Sequence, residues 1–345
     1  MSRISIGMWA AMVLILAPMA GAQSYTITDI GEVGRSAYEP QGAVNDHGAI
    51  VGSFINGNNL EQAFLWTAKT GIRDLGFLPG FDQSVATGIN NAGHVVGYSS
   101  SSTTGLAHAF LWTQAGGMQD LGVLPGGNAS YAYGVNESDQ VVGYSYVDDL
   151  GELYHAFLWT QSSGMQDIGT LGGLSSGASA INQFGIVVGS SYLSGNAGPY
   201  HAFAWTKAGG MEDLGVLGEG TYSGASAVNT SGEIIGYSAF TATGSEIRPF
   251  YWTQATGMRP LDNVYSNAIS VNDSGAIVGY SPGRGRFTDA FLWTPANGYQ
   301  DLNSLVPPNS GWNLQVAWGI NSSGQIMATG TYQARTHAAL LTPTN

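Results

Sequence analysis

An asparagine returns along this chain at a nearly fixed interval: Asn45, Asn90, Asn136, Asn182, Asn229, Asn272 and Asn321, separated by 45, 46, 46, 47, 43 and 49 residues. Each follows Ile or Val, and each is followed three residues later by Gly, except in the third unit, where Asp139 takes that place. An Asn that opens and a Gly that closes a four-residue link suit a tight hairpin, because Gly accepts positive φ without a Cβ penalty. A repeat of this length constrains the fold more than any other feature. One unit cannot bury its own apolar faces, so copies must stack.

Four short strands fit between successive markers. In one unit they are Ser84 to Ile89, with small residues at alternate places; Val95 to Ser99; the run His108-Ala109-Phe110-Leu111-Trp112-Thr113; and Met118 to Gly122. In the third strand His108, Phe110 and Trp112 point to one face and Ala109, Leu111 and Thr113 to the other, so both faces need cover. Tryptophan recurs there at 66, 112, 159, 205, 252 and 293. Burying about 200 Å² of each indole at about 25 cal/mol/Å² gives an upper estimate of roughly 5 kcal/mol apiece. A 40–50-residue period with four strands marks a β-propeller blade. No run beyond the N-terminal leader has helical periodicity over a useful length.

Counting decides how the ring closes. Six units are complete, and the seventh has Ile320-Asn321, Gln325 to Gly330 and His337 to Thr342 but lacks a fourth strand. The segment Ile27-Thr28-Asp29-Ile30-Gly31 reads like Met165-Gln166-Asp167-Ile168-Gly169, out of order at the other end of the chain. The expectation is an all-β, seven-bladed propeller of four-stranded blades over residues 23–345, in which residues 25–31 complete the seventh blade.

The first 22 residues read as a signal peptide: Arg3, an apolar run from Ile4 to Ala17, and Ala20-Gly21-Ala22 before Gln23. The apolar run stops at Pro18, short of the roughly 20 residues that a spanning helix needs, so no membrane anchor is expected in the mature form. Cleavage near Ala22 would send the chain to the periplasm or outside the cell. A net charge of −13 opposes nucleic-acid binding. The chain has no cysteine, so its stability must come from packed surface, with no disulfide to help. It is expected to act as a monomer.

Spacing separates scaffold from variable surface. The marker turn and the link from Thr67 to Gly71, with its counterparts, keep constant length, whereas the link between strands two and three runs about six to nine residues and that from strand four to the next unit three to eleven. In an up-and-down blade the two variable links share one rim, where function is usually carried. Candidate ligand-binding residues there are Asp148, Asp149, Glu152 and Tyr154 in the third unit, Tyr192 and Tyr200 in the fourth, Arg284 and Arg286 in the sixth, and Trp312 in the longest link. Aromatic rings beside carboxylates and arginines suit a glycan or a peptide segment of a surface protein.

No catalytic signature accompanies the repeat. His108, His155, His201 and His337 open the third strand in four units, but Gln62, Arg248 and Asp289 stand there in the others. A metal-binding or catalytic role would not tolerate that exchange, so these His residues read as structural. Asp29, Asp74, Asp120, Asp167, Asp213 and Asp301 recur in the fourth strand, replaced once by Pro260. They read as acceptors for backbone N–H groups in the adjoining blade or turn. A ring of Ca²⁺ sites is the alternative, although the clustered oxygen ligands of a Ca²⁺ loop are not evident, and no cofactor is expected. Nucleophile elbows, zinc-protease His pairs and phosphate loops are absent from the sequence. The paired carboxylates of a glycosidase could come from different blades and would leave no spacing to read.

The runs His-Ala-Phe-Leu-Trp-Thr at 108–113 and 155–160, followed by Gly-Met-x-Asp-Leu/Ile-Gly and preceded by Ile/Val-Asn-x-x-Gly-x-x-Val-Gly, resemble the HAF-repeat family of extracellular repeat proteins. The likeness runs over the whole chain beyond the leader, with departures at Gln62, Pro249 and Ala339. It implies an exported bacterial propeller-like protein and supplies no catalytic residues. The resulting expectation is a binding module that takes a glycan or a surface protein through its variable rim. A polysaccharide-active enzyme and a structural extracellular component without a small ligand are the alternatives.

Overall fold

The computed structural model describes residues 24–33, 42–196, 198–244, 246–261, 266–283 and 288–344. The leader assignment at 1–22 lies outside them. The described residues form seven four-stranded antiparallel sheets and one 3-10 turn at Leu302–Ser304, with no α-helix among them. In six of the seven sheets the strands run in chain order from the centre outward. The second blade is representative: Gln83–Ile89, Val95–Ser100, Ala107–Thr113 and Gly117–Asp120. Each inner strand lies against the inner strands of both neighbouring blades all the way round, so the sheets close into a seven-bladed propeller.

The seventh blade closes as its missing strand required. Trp312–Ile320, Ile326–Tyr332 and Arg335–Thr344 are joined on the outside by Ser24–Glu32, which pairs from Ser24 with Thr344 to Glu32 with His337. Tyr25 in that strand is 2% exposed, and its N–H donates to the Leu305 carbonyl at 2.8 Å. The strand therefore covers apolar surface as well as pairing an open edge.

Packing follows from the two apolar faces of the third strand. Phe110 and Trp112 enter a cluster with Val51, Leu75 and Leu78 of the first blade. Ala109 and Leu111 of the same strand enter another with Phe157 and Trp159 of the third. The Phe at this place, at 64, 110, 157, 203, 250 and 291, is fully buried in six blades.

Serine hydroxyls tie the blades further. The N–H groups of Ala63, Ala109, Ala156 and Ala202 donate to Ser84, Ser130, Ser176 and Ser223 at 2.8–2.9 Å, each in the following blade. Those hydroxyls in turn donate to the carbonyls of Gly76, Gly122, Gly169 and Gly215 at 2.6 Å. In the fifth blade the corresponding residue is Pro249, which has no N–H to give.

The marker asparagines do more than open turns. Each Oδ1 whose bonds are described accepts a backbone N–H of its own turn, as Asn90 does from His94 at 2.9 Å. Each Nδ2 donates to the backbone carbonyl of the next marker: Asn45 to Asn90, then 136, 182, 229, 272 and 321, and from Asn321 back to Asn45, all at 2.9–3.2 Å. The seven bonds form a closed circle. All seven asparagines are 3–6% exposed, which makes an unmet donor there costly. At the end of the turn, Gly93 and its five glycine counterparts have φ of 71–79° and Asp139 has φ 55°.

One departure from simple alternation shapes the centre. In six blades the inner strand carries a β-bulge, with one residue skipped between Ala86 and Gly88 and at the matching places elsewhere. The bulge brings the Val85 carbonyl against Gly97, where a Cβ would lie far inside van der Waals contact. The same close approach explains Gly143, Gly189, Gly236 and Gly279.

Candidate functional site

The skipped residue of each bulge stands three places before the marker asparagine. Thr87, Tyr133, Ser179, Ser226, Ile269 and Trp318 hold that place, and Gly42 holds it in the first blade. All seven line a central cavity of about 780 Å³ encircled by the seven inner strands and open to solvent. Bulges characteristically re-aim a side chain; here each blade sends one residue inward, and the side chain ranges from none to an indole.

Above these positions stands a wall of tyrosines. Tyr98 meets Tyr131 edge-on at 4.9 Å between ring centroids, Tyr131 stacks on Tyr144 at 4.9 Å and 27°, and Tyr144 lies 5.1 Å from Tyr154. Tyr192 and Tyr200 are 5.7 Å apart, and Tyr200 stacks on Tyr222 at 5.4 Å and 27°. Tyr154 interacts with Tyr192, and Tyr200 with Tyr237, which joins the two groups. Burial, reinforced by neighbouring tyrosines, pushes the hydroxyls of Tyr131, Tyr144, Tyr154, Tyr200 and Tyr237 above the usual phenol range. They remain protonated donors at neutral pH.

The wall belongs to blades two to five and rises at the roots of the variable links. Tyr146 pairs in register with Tyr154, and Tyr192 with Tyr200, across the links of the third and fourth blades. Around the ring, Trp318 of the seventh blade stands three blades from Tyr133 on one side and four on the other, nearly opposite. Its Nε1 donates to Thr329 Oγ1 at 2.9 Å, which fixes the ring.

Among the described residues, the cavity lining includes no Asp, Glu, Lys, Arg or His. It combines backbone, small side chains and hydroxyls with the aliphatic Ile89, Ile181 and Ile269, and its aromatic groups are Tyr133, Tyr144, Tyr146, Tyr154, Tyr237, Tyr280 and Trp318.

The candidates named from sequence divide clearly. Tyr154, Tyr192 and Tyr200 fall in the tyrosine wall. Asp148 Oδ1 and Oδ2 accept the N–H groups of Glu152 and Leu153 at 3.0 and 3.2 Å, so this carboxylate caps its own link. The backbone carbonyls of Asp149 and Glu152 accept Asn128 and Asn196 Nδ2, which holds the link down. Trp312 stacks on Tyr332 at 4.9 Å and 9°, with His337 edge-on to both, in the seventh blade and outside the cavity lining. Arg284 and Arg286 lie outside the described residues. The links themselves are shorter in places than sequence spacing indicates. In the seventh blade only Gln333 and Ala334 remain between the strands, both at positive φ as a two-residue hairpin requires.

Sequence reading missed the bulge positions and most of the tyrosines. The available signal was variation inside a strand of otherwise constant pattern. The place three before the marker runs through Gly, Thr, Tyr, Ser, Ile and Trp, and the place eight after it through Ser, Tyr and Thr.

The recurrent His and Asp residues pair with one another. His108, His155, His201 and His337 Nδ1 lie 2.7–2.9 Å from Asp120, Asp167, Asp213 and Asp29 in the adjoining outer strand. Each of these aspartates also accepts the N–H two residues on, as Asp120 does from Gly122 at 2.8 Å. They therefore cap their own turn. Burial opposes ionisation of Asp167, but hydrogen bonds from His155 and Gly169 outweigh it and hold the carboxyl below its usual range. The same bond from Asp167 raises the His155 imidazole. Among the described residues no cluster of three or more metal-capable side chains occurs.

A second, smaller hollow of about 190 Å³ lies by the asparagine circle, with Asp46, Glu137 and Asp273 on its edge. Asp46 accepts Ser322 and Asn91, Glu137 accepts the Asn91 N–H, and Asp273 accepts the Thr230 N–H. These carboxylates fasten adjacent turns.

No protein-family model matches the sequence, and neither does any curated protein. Among solved structures the chain is similar to puromycin hydrolase, with a TM-score of 0.57 and 11% identity over 91% of this chain and 54% of that one. It is similar to the acylaminoacyl peptidase of Pyrococcus horikoshii, at 0.52 and 9% over 93% and 52%. TolB from Acinetobacter baumannii gives 0.49 and 11% over 86% and 64%. This chain spans little more than half of the first two and under two thirds of the third. At such identities the likeness is one of fold, and the fold is the propeller.

Proposed function

We propose that this protein is an exported binding module that takes a glycan at the tyrosine-walled mouth of its central cavity. The observation that carries the reading is the joining of stacked tyrosines to a hydroxyl-lined cavity on the face that bears the variable links. Sugar rings present C–H faces that pack on aromatic rings and hydroxyls that bond to phenols and backbone groups, and small-ligand sites combine such surfaces in pockets of about 300–1,000 Å³. The leader-like residues 1–22 and the resemblance to HAF-repeat proteins support export.

The enzyme alternative needs two carboxylates flanking the bond to be broken. The lining supplies none among the described residues, which favours binding over hydrolysis. A surface-protein partner is favoured by one observation, the exposed Leu150 (75%) and Leu174 (49%) on the same face. A glycan array with the mature chain tests the main reading. Specific spots that fade in Tyr154→Ala and Tyr200→Ala support it; an array without a specific signal overturns it, and release of shortened sugars would single out the enzyme.

A further inference from the structure

We propose that the seven positions three residues before the marker asparagines select the ligand, and that the cavity admits the end of an uncharged glycan chain while rejecting acidic ones. This rests on the glycan reading and makes it specific. The cavity is encircled by the inner strands, so a linear chain can enter it only end first and along the ring axis. Within it, Trp318 and Tyr133 come from blades nearly opposite each other, which suits a ring held between two aromatic faces. Ser179 and Ser226 add hydroxyls around the same level, while the buried Thr87 hydroxyl donates to the Ala132 carbonyl at 2.8 Å.

Charge supplies the selection. A uronate, a sulfated sugar or a peptide terminus would bring an ionised group into a space whose described lining offers no counter-charge, and an unpaired buried charge is strongly disfavoured. The phenols cannot serve as partners by ionising, since Tyr144 and Tyr237 are held protonated by burial. Neutral hydroxyls suffer no such penalty, because each meets a donor or acceptor of its own kind.

The test is calorimetric titration at neutral pH with cellohexaose, mannohexaose, xylohexaose and chitohexaose, beside oligogalacturonate and oligoalginate of matched length. Wild type is compared with Trp318→Ala and with Ser179→Trp. Ser179 is exposed within the cavity, so an indole there fills the channel without disturbing packed core, and an unchanged melting curve confirms that the fold is kept. The expected result is binding of at least one neutral oligosaccharide and of neither uronate, weakened about tenfold in Trp318→Ala and lost in Ser179→Trp. Equal binding of the uronates, or neutral binding untouched by Ser179→Trp, overturns the inference and leaves a glycan site elsewhere on the face. Absence of binding to every saccharide overturns the glycan reading itself.

Discussion

Asn321 donates its side-chain N–H to the backbone carbonyl of Asn45, 2.9 Å away and 276 residues earlier in the chain. The same bond links every other pair of neighbouring blades, but only this one joins the last repeat to the first. Its Oδ1 meanwhile accepts the Gln325 N–H at 2.8 Å and caps its own turn. Asn321→Asp keeps the cap and removes the donor, placing a carboxylate oxygen against a carbonyl; Asn321→Ala removes both. A buried carbonyl left without its donor costs about 1–3 kcal/mol. Both variants are expected to lower the urea midpoint by a corresponding amount, and an unaltered midpoint in both would show that the circle contributes nothing.

The outer strand of the seventh blade comes from the N-terminal end. Removal of residues 24–32 exposes the edge of Arg335–Thr344 and the pocket filled by Tyr25. The melting temperature is expected to fall strongly, with a gain in aggregation through the free edge. Calorimetry on the shortened chain reads this, and an unchanged transition contradicts the closure.

Gly97 sits beneath the bulge of its neighbour, whereas Gly105 lies in an exposed link with open space about its Cα. Gly97→Ala is expected to destabilise severely, because the obstacle is the Val85 carbonyl of the backbone, which cannot rotate away. Gly105, at φ 73°, pays only the ordinary penalty of a left-handed Ala. Denaturation of the two variants side by side decides the matter; similar losses would contradict the close-approach explanation.

The marker asparagines, the strand order and the exchange of an N-terminal strand into the last blade were all legible, since each follows from periodicity and from counting. The role of Asn321 Nδ2 was not, because the sequence shows the turn around an asparagine but not the blade beside it. Nor was the bulge: alternation through Ser84, Ala86 and Gly88 reads as a plain strand, and nothing local announces that Thr87 is turned to the cavity. A loop carboxylate such as Asp148 looks available from its sequence, but it is engaged by the N–H groups of its own link. Tyr154, Tyr192 and Tyr200 stand where the loops meet the strands, and so belong to both descriptions.

Tyrosine burial makes a further property predictable. Phenols raised in the folded state bind their protons more tightly there than in the unfolded chain, so stability is fully present below about pH 10 and is lost as pH rises through the folded values. Tyr25, pushed up to about 12 by burial, lies in the closing strand, and Tyr144 and Tyr237 lie in the wall. Tyrosinate absorbance is expected to show a class of phenols that stays protonated above pH 10 in the native protein and ionises at once in urea. Titration of all 17 tyrosines together without urea would contradict this.

The most direct measurement is a crystal structure of the protein with the tightest-binding neutral oligosaccharide of the titration panel. The account predicts a sugar residue in the central cavity, between Trp318 and Tyr133 and beneath Tyr144. Density for the sugar along the outer links at Asp148 or against Trp312, with the cavity holding only solvent, would contradict it.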